Sequence, residues 1–140
     1  MLPAELAGFN PTKNDVLRLG SFENPRSQVA LDGAGFRYGA KREFQNGATR
    51  VEIAVFQFGS ERGALRFEAE RFASLCAERQ RGLALPAGTG AAGIVFSREA
   101  EDDRRRLSFI RGSRTYIIFI DGRDFSGHAE LLLGAIAVAR

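Results

Sequence analysis

The chain has one cysteine, Cys76, one histidine, His128, and no tryptophan. A lone cysteine closes no internal disulfide and builds no thiolate-rich metal site. A lone histidine excludes a multi-imidazole centre. Lysine is scarce too: Lys13 and Lys41 are the lysines among twenty basic residues. No uninterrupted apolar run approaches the roughly 20 residues that a membrane-crossing helix needs, so no integral membrane segment is expected. The start, Met1-Leu2-Pro3-Ala4-Glu5, has neither the basic opening nor the apolar run of a secretory signal. The expectation is a cytoplasmic protein if Met1 is the native start, or a chain from which a leader has been removed.

What is present is an ordinary globular composition, 44% hydrophobic and 26% charged over 140 residues. That length suits one domain, residues 1–140, with an irregular lead-in at 1–23. Twelve phenylalanines supply the bulk of a core. The net charge of +3 is a mild excess carried by arginine. Arginine suits bidentate recognition of carboxylate or phosphate, and an Ala-, Gly- and Arg-rich, Lys-poor chain is equally what a high-GC genome encodes.

Residues 1–23 leave room for a short strand around Val16–Leu19. Asn24-Pro25 marks a helix start, with Asn24 as N-cap and Pro25 at the first helical position, and Gly33 stops it. Asn46-Gly47 lies between two strand-like runs and predicts a hairpin over 35–58. A tight turn on those two residues sets Gln45 against Ala48, Lys41 against Glu52 and Glu43 against Arg50 on one face. Phe36, Tyr38 and Ala40 then meet Gln57, Val55 and Ile53 on the other. Ser60 caps a second helix over 61–79, where Leu65, Ala69, Phe72 and Cys76 fall on one stripe and Phe67 points nearly opposite Leu65. On that stripe Cys76 reads as a packed, inert thiol. Gln80–Gly93 reads as a loop. A meander over 94–121 follows, turning at Asp102-Asp103, which sets Glu101 against Arg104 and Glu99 against Arg106. Its second turn at Gly112-Ser113 sets Leu107 against Ile118 and Phe109 against Tyr116. A last helix is predicted over 125–139. The order predicts an α+β fold, an antiparallel sheet of about five strands packed with helices near 24–33, 61–79 and 125–139.

Val51, Ile53 and Val55 alternate with Ala54, Phe56 and Phe58, and Ser108, Ile110 and Ile117 with Leu107, Phe109 and Ile118. Strands apolar on both faces need cover on both sides. The two longer helices can cover one face. The other calls for the first helix with the N-terminal segment, a second subunit or an apolar ligand.

Motifs that spell chemistry lack its context. Gly88-Thr89-Gly90-Ala91-Ala92-Gly93 matches GxGxxG, but Pro86 precedes it and a strand-like run follows, whereas a dinucleotide fingerprint follows a strand and opens a helix. Asp124, Ser126 and His128 crowd one helix start without a nucleophile elbow or oxyanion site. Glu99, Glu101, Asp102 and Asp103 are neutralised by Arg104–Arg106 and lack calcium-loop spacing. No catalytic, cofactor or metal residue is therefore assigned. Arg104, Arg105, Arg106, Arg111 and Arg114, with Phe109 and Tyr116, suggest a single-stranded nucleic-acid surface, but no RNP1-like run occurs and acidic neighbours dilute the field. Nucleic acid is not the expected partner.

Asp32-Gly33-Ala34-Gly35-Phe36-Arg37-Tyr38-Gly39, Arg42, Asn46-Gly47, the strand Val51–Phe58, Gly63-Ala64-Leu65-Arg66-Phe67 and Phe109-Ile110-Arg111-Gly112 together resemble extracytoplasmic, lipoprotein-type domains of unknown function from high-GC bacteria. The resemblance covers about three-quarters of the chain. It implies an extracytoplasmic setting and carries over no catalytic residue. The lipobox cysteine and leader of such lipoproteins are not in this sequence.

The expected function is a non-enzymatic binding or assembly module engaging a protein partner, a homo-oligomeric copy or an apolar ligand. Its surface would draw on Phe56, Phe58, Phe67, Ile110, Arg111 and Arg114. The alternatives are a small enzyme with a dispersed arginine and carboxylate site, and single-stranded nucleic-acid binding through the arginine-rich meander.

Overall fold

A computed structural model describes residues 2, 4–6, 8–22, 24–77, 81–84, 92–97 and 104–121. The strands are β1 (Asn10–Leu17), β2 (Phe36–Asn46), β3 (Thr49–Phe58), β4 (Arg81–Ala84), β5 (Ala92–Ser97), β6 (Arg104–Arg111) and β7 (Arg114–Asp121). The helices are α1 (Pro25–Gly33) and α2 (Glu61–Ala77), with a short 3-10 turn at Leu19–Ser21. All strands join one antiparallel sheet in the order β1-β2-β3-β7-β6-β5-β4. The α+β antiparallel layer is as expected, and β1 and β4 extend it at its two edges. β1 begins well before the Val16–Leu19 stretch, and β4 lies within residues read as a loop. The helix expected over 125–139 lies outside the described residues.

The Asn24 side chain accepts from the Arg26 N–H at 2.9 Å, and Pro25 opens α1 as predicted. Ser60 Oγ accepts from the Gly63 N–H at 3.1 Å and caps α2. The β6–β7 turn also follows expectation: Gly112 has φ +58°, and Leu107 pairs with Ile118 and Phe109 with Tyr116.

The first hairpin differs from its expected register by two residues. Asn46 pairs with Thr49, so the turn is Gly47-Ala48, with Gly47 at φ +56°. A glycine at the first turn position supplies the positive φ that the hairpin needs, as Gly112 does in the other turn. From Tyr38 onward the two-residue shift keeps each side chain on its expected face and brings Phe44 opposite Val51, both fully buried. A bulge before Tyr38 turns Phe36, expected on the face of Tyr38 and Ala40, to the opposite face, across from Phe58. The shift also sets Glu43 directly opposite Glu52, so Lys41 serves two carboxylates at once, 3.8 Å from Glu43 and 3.5 Å from Glu52.

The β5–β6 register departs from the tip pairing of Glu99 with Arg106. Phe96 lies opposite Arg106 and Ser97 opposite Arg105, and residues 98–103 lie outside the described residues. This register sets Val95 in line with Leu107, Ile118 and Ile53, a continuous apolar row across four strands. Exposed charge pairs at a hairpin tip contribute a few tenths of a kcal/mol and do not outweigh such a row.

Both faces of the central strands are apolar and buried. One carries Ala54, Phe56 and Phe58 with Leu31, Ala34, Ala64 and Phe67 of α1, α2 and their flanks. The far face carries Phe44, Val51, Ile53, Val55, Phe109, Tyr116, Ile118 and Ile120, with Leu6 of the N-terminal segment in the same cluster and Leu2 and Phe9 packed on it.

The buried stripe of α2 corrects the periodicity reading. Leu65 is 53% exposed and Ala69 is exposed, whereas Ala64 and Phe67 are buried. The cause is a close backbone approach: a Cβ on Gly63 would stand 2.2 Å from the Ala34 carbonyl oxygen. Only a glycine lets the helix settle there. That contact sets the rotation of α2 and drives Phe67 between Phe56 and Phe58, with ring centroids at 5.7 and 5.3 Å.

Phe67→Ala is expected to lower stability by roughly 3–5 kcal/mol, Gly63→Ala by roughly 1–3 kcal/mol, and Leu65→Ala by no more than about 0.5 kcal/mol. Urea unfolding midpoints of the three variants check the order.

Candidate interaction surface

The six residues expected at a partner surface do not share one. Phe56, Phe58 and Phe67 form the interior of the helix-side cluster, joined by Phe22 and Phe36 at centroid distances of 5.9 to 6.1 Å, and Ile110 packs half-buried against them. Their apolar character serves the core, which corrects their assignment to an exposed surface. Arg111 and Arg114 lie on the opposite face, at the β6–β7 turn. The arginines of the meander divide likewise: backbone register sets Arg105, Arg111 and Arg114 on the far face, and Arg104 and Arg106 on the helix side.

At the turn end of the far face, register aligns Tyr38, Gln57, Arg114 and Arg111 in one row across β2, β3, β7 and β6. Arg114 Nε donates to Gln57 Oε1 at 2.9 Å. Gln57 Nε2 donates to Ser113 Oγ and to the Phe58 carbonyl, each at 2.7 Å. The amide is thereby tied to the turn and holds the Arg114 guanidinium by one edge. The Arg111 guanidinium carbon lies 5.2 Å from the Phe109 ring centroid, a cation–π geometry. Arg37 is the extra residue of a β-bulge between Phe36 and Tyr38. Its guanidinium lies over Gly59, 3.2 Å from where a Cβ would stand. Among the described residues neither Arg37 nor Arg114 has an ion-pair partner.

The neighbouring rim is apolar. Val16 of β1 is 70% exposed and sits opposite Ala40, and Tyr38, 56% exposed, follows two residues along on the same face. Sequence reasoning named Arg111 and Arg114 but missed Tyr38, Gln57 and Arg37. The signal for Gln57 was there: it is the one polar residue where the alternation of Val51, Ile53 and Val55 calls for an apolar one.

Two other polar groups stand apart. On the helix side, away from α2, Lys41 joins Asp15, Glu43 and Glu52 within 4 Å, and Lys13 lies 3.2 Å from Asp15. The hydrogen bond and charge of Asp15 raise the Lys13 ammonium above its ordinary value of 10.5. Under α2, Glu68 accepts from the buried Ser108 hydroxyl, and the fully buried Thr115 hydroxyl has no hydrogen-bond partner among the described residues.

Among the described residues no three of His, Cys, Asp and Glu gather as a metal site, and no helix is long and apolar enough to cross a membrane. The GxGxxG start at Gly88 lies outside the described residues, and its end, Ala92-Gly93, opens β5. Asp124, Ser126, His128 and the acidic run 99–103 also lie outside them, and nothing is described of the Cys76 side chain.

No family model matches the chain, and no curated protein matches it in sequence. In structure it is similar to the extracellular domain of PknH from Mycobacterium tuberculosis, with a TM-score of 0.58 at 10% identity. The match covers 93% of this chain and 83% of that one. At that identity the likeness is one of fold.

Lys41→Met is expected to lower stability by about 1 kcal/mol, since it removes the ammonium within 4 Å of both Glu43 and Glu52, which face each other. Adding Glu43→Gln to Lys41→Met should recover most of the loss, and a double-mutant cycle in urea reads the coupling.

Proposed function

We propose that this protein is a non-enzymatic binding or assembly module that works outside the cytoplasm by engaging a protein partner, a second copy of itself included. The observation that carries the reading is the pair Val16 and Tyr38, large apolar side chains open to solvent on one face at the outer β1–β2 edge. Buried aromatic and aliphatic residues fill both cores, so an exposed apolar rim next to oriented arginines is a surface suited to contact. The fold shared with the extracellular domain of PknH supports the setting. So does the resemblance of the 32–67 stretch to lipoprotein-type domains.

A Val16→Asp variant tests this reading. Its stability should stay within about 0.5 kcal/mol of the parent, because the side chain is exposed. Light scattering of the pure protein and retention of envelope proteins on the immobilised chain should each be compared between parent and variant. Loss in the variant of a dimer, or of a specifically retained envelope protein, is the expected result. A parent that is monomeric and retains nothing from the envelope that the variant does not retain equally would overturn it.

A further inference from the structure

We infer that the row Tyr38–Gln57–Arg114–Arg111, with Arg37 beside it, is the docking surface for an acidic peptide segment of the partner. This rests on the reading that the module meets a protein, and it names the chemistry of what is met.

An arginine on a surface ordinarily loses side-chain entropy when it binds, which offsets much of an ion pair. Here the guanidinium of Arg114 is held by Nε on Gln57 Oε1, and Gln57 is itself fixed by Ser113 Oγ and the Phe58 carbonyl. Its other edge, the two terminal nitrogens, is the one that grips a carboxylate in bidentate fashion. Arg111 is settled on the Phe109 ring. Arg37 sits on a bulge, a device that re-aims side chains, and leans over a glycine that has no side chain to displace it. Neither Arg37 nor Arg114 is neutralised by an acid among the described residues. By contrast, Lys13, Lys41 and Arg66 each have a carboxylate within 4 Å.

The shape of the surface separates a peptide from other anions. Four adjacent strands place the row over about 14 Å, the length of four to five residues of extended chain. The row runs from Arg111 and Arg114 through Gln57 to Tyr38, and at that end it passes into the apolar rim of Ala40 and Val16 on the same face. A peptide with acidic side chains followed by an apolar one satisfies both ends. A polyanion such as a charged polysaccharide satisfies only one.

The test is selection from a library of random displayed peptides on the intact protein, followed by titration of labelled synthetic peptides. Enrichment of sequences with at least two acidic residues next to an apolar one is the expected result. Their binding should weaken as salt rises, and Arg114→Gln and Arg37→Gln should each weaken it about tenfold. Arg114→Lys, which keeps the charge and loses the fork, should recover only part of the loss. Thermal melting of each variant confirms that it folds. Enriched peptides without acids, whose binding depends on Tyr38 and Val16 but not on Arg114, would overturn this inference and leave the protein-binding reading standing. No enrichment on this face would overturn the inference, while the Val16→Asp comparison judges the broader reading on its own. Equal binding of an acidic polysaccharide, lost in the same arginine variants, would also overturn it.

Discussion

The helix-side half of this molecule hangs on the place where α2 meets the end of α1. Gly63 lies so close to the Ala34 carbonyl that no other residue fits there. The near-contact orients the whole helix, and with it Phe67 enters the gap between Phe56 and Phe58. Arg66 reinforces the junction by donating to the Gly33 carbonyl at 2.9 Å, which satisfies an acceptor that the end of α1 leaves open. Five phenylalanines then share one cluster, packed edge-on and tilted rather than stacked, as ring quadrupoles favour. That dense packing is why the most aromatic part of the sequence is interior.

The elements with local signals were legible in the sequence. Asn24-Pro25, Ser60, Asn46-Gly47 and Gly112-Ser113 each state a cap or a turn within a few residues; α1, α2 and the second hairpin stand where those signals put them, and the first hairpin turns one residue later. What depends on contacts far apart in sequence was less legible. The two-residue shift of β2 against β3 is decided by Phe44 meeting Val51, and the β5–β6 register by a row that ends on β3. The rotation of α2 is set by a backbone approach to a residue almost thirty positions earlier, which no helical periodicity records. Only the end of β1 was anticipated, as a short strand around Val16–Leu19, because its apolar residues are few and its pairing with β2 includes a bulge between Pro11 and Lys13.

The site was half legible for a related reason. Arg111 and Arg114 flank a recognisable turn, and the resemblance drew attention to the F-x-R-G stretch. Yet apolar residues judged too numerous for the core proved to be the core. The sheet is apolar on both sides, as its alternation implied, and its two clusters divide that material between them. Outside them, besides Val29 and Leu65 on the helices, lies a short rim at the end of the strands. A cation row and two apolar side chains sit there, on strands rather than on a long loop. Their spacing is therefore inherited from the sheet, and a fold shared at 10% identity can carry quite different side chains on the same frame.

The outermost strand, β1, has an uneven edge. Pro11 has no N–H to offer, and the kink after it interrupts the ladder, while Lys13 and Asp15 add charge close by. These features discourage uncontrolled stacking of one molecule on another along most of the strand. The last two residues, Val16 and Leu17, carry no such obstacle. Growth of the sheet by an added strand is thus confined to a short, polarised stretch, long enough for a brief pairing and too short to seed a fibre.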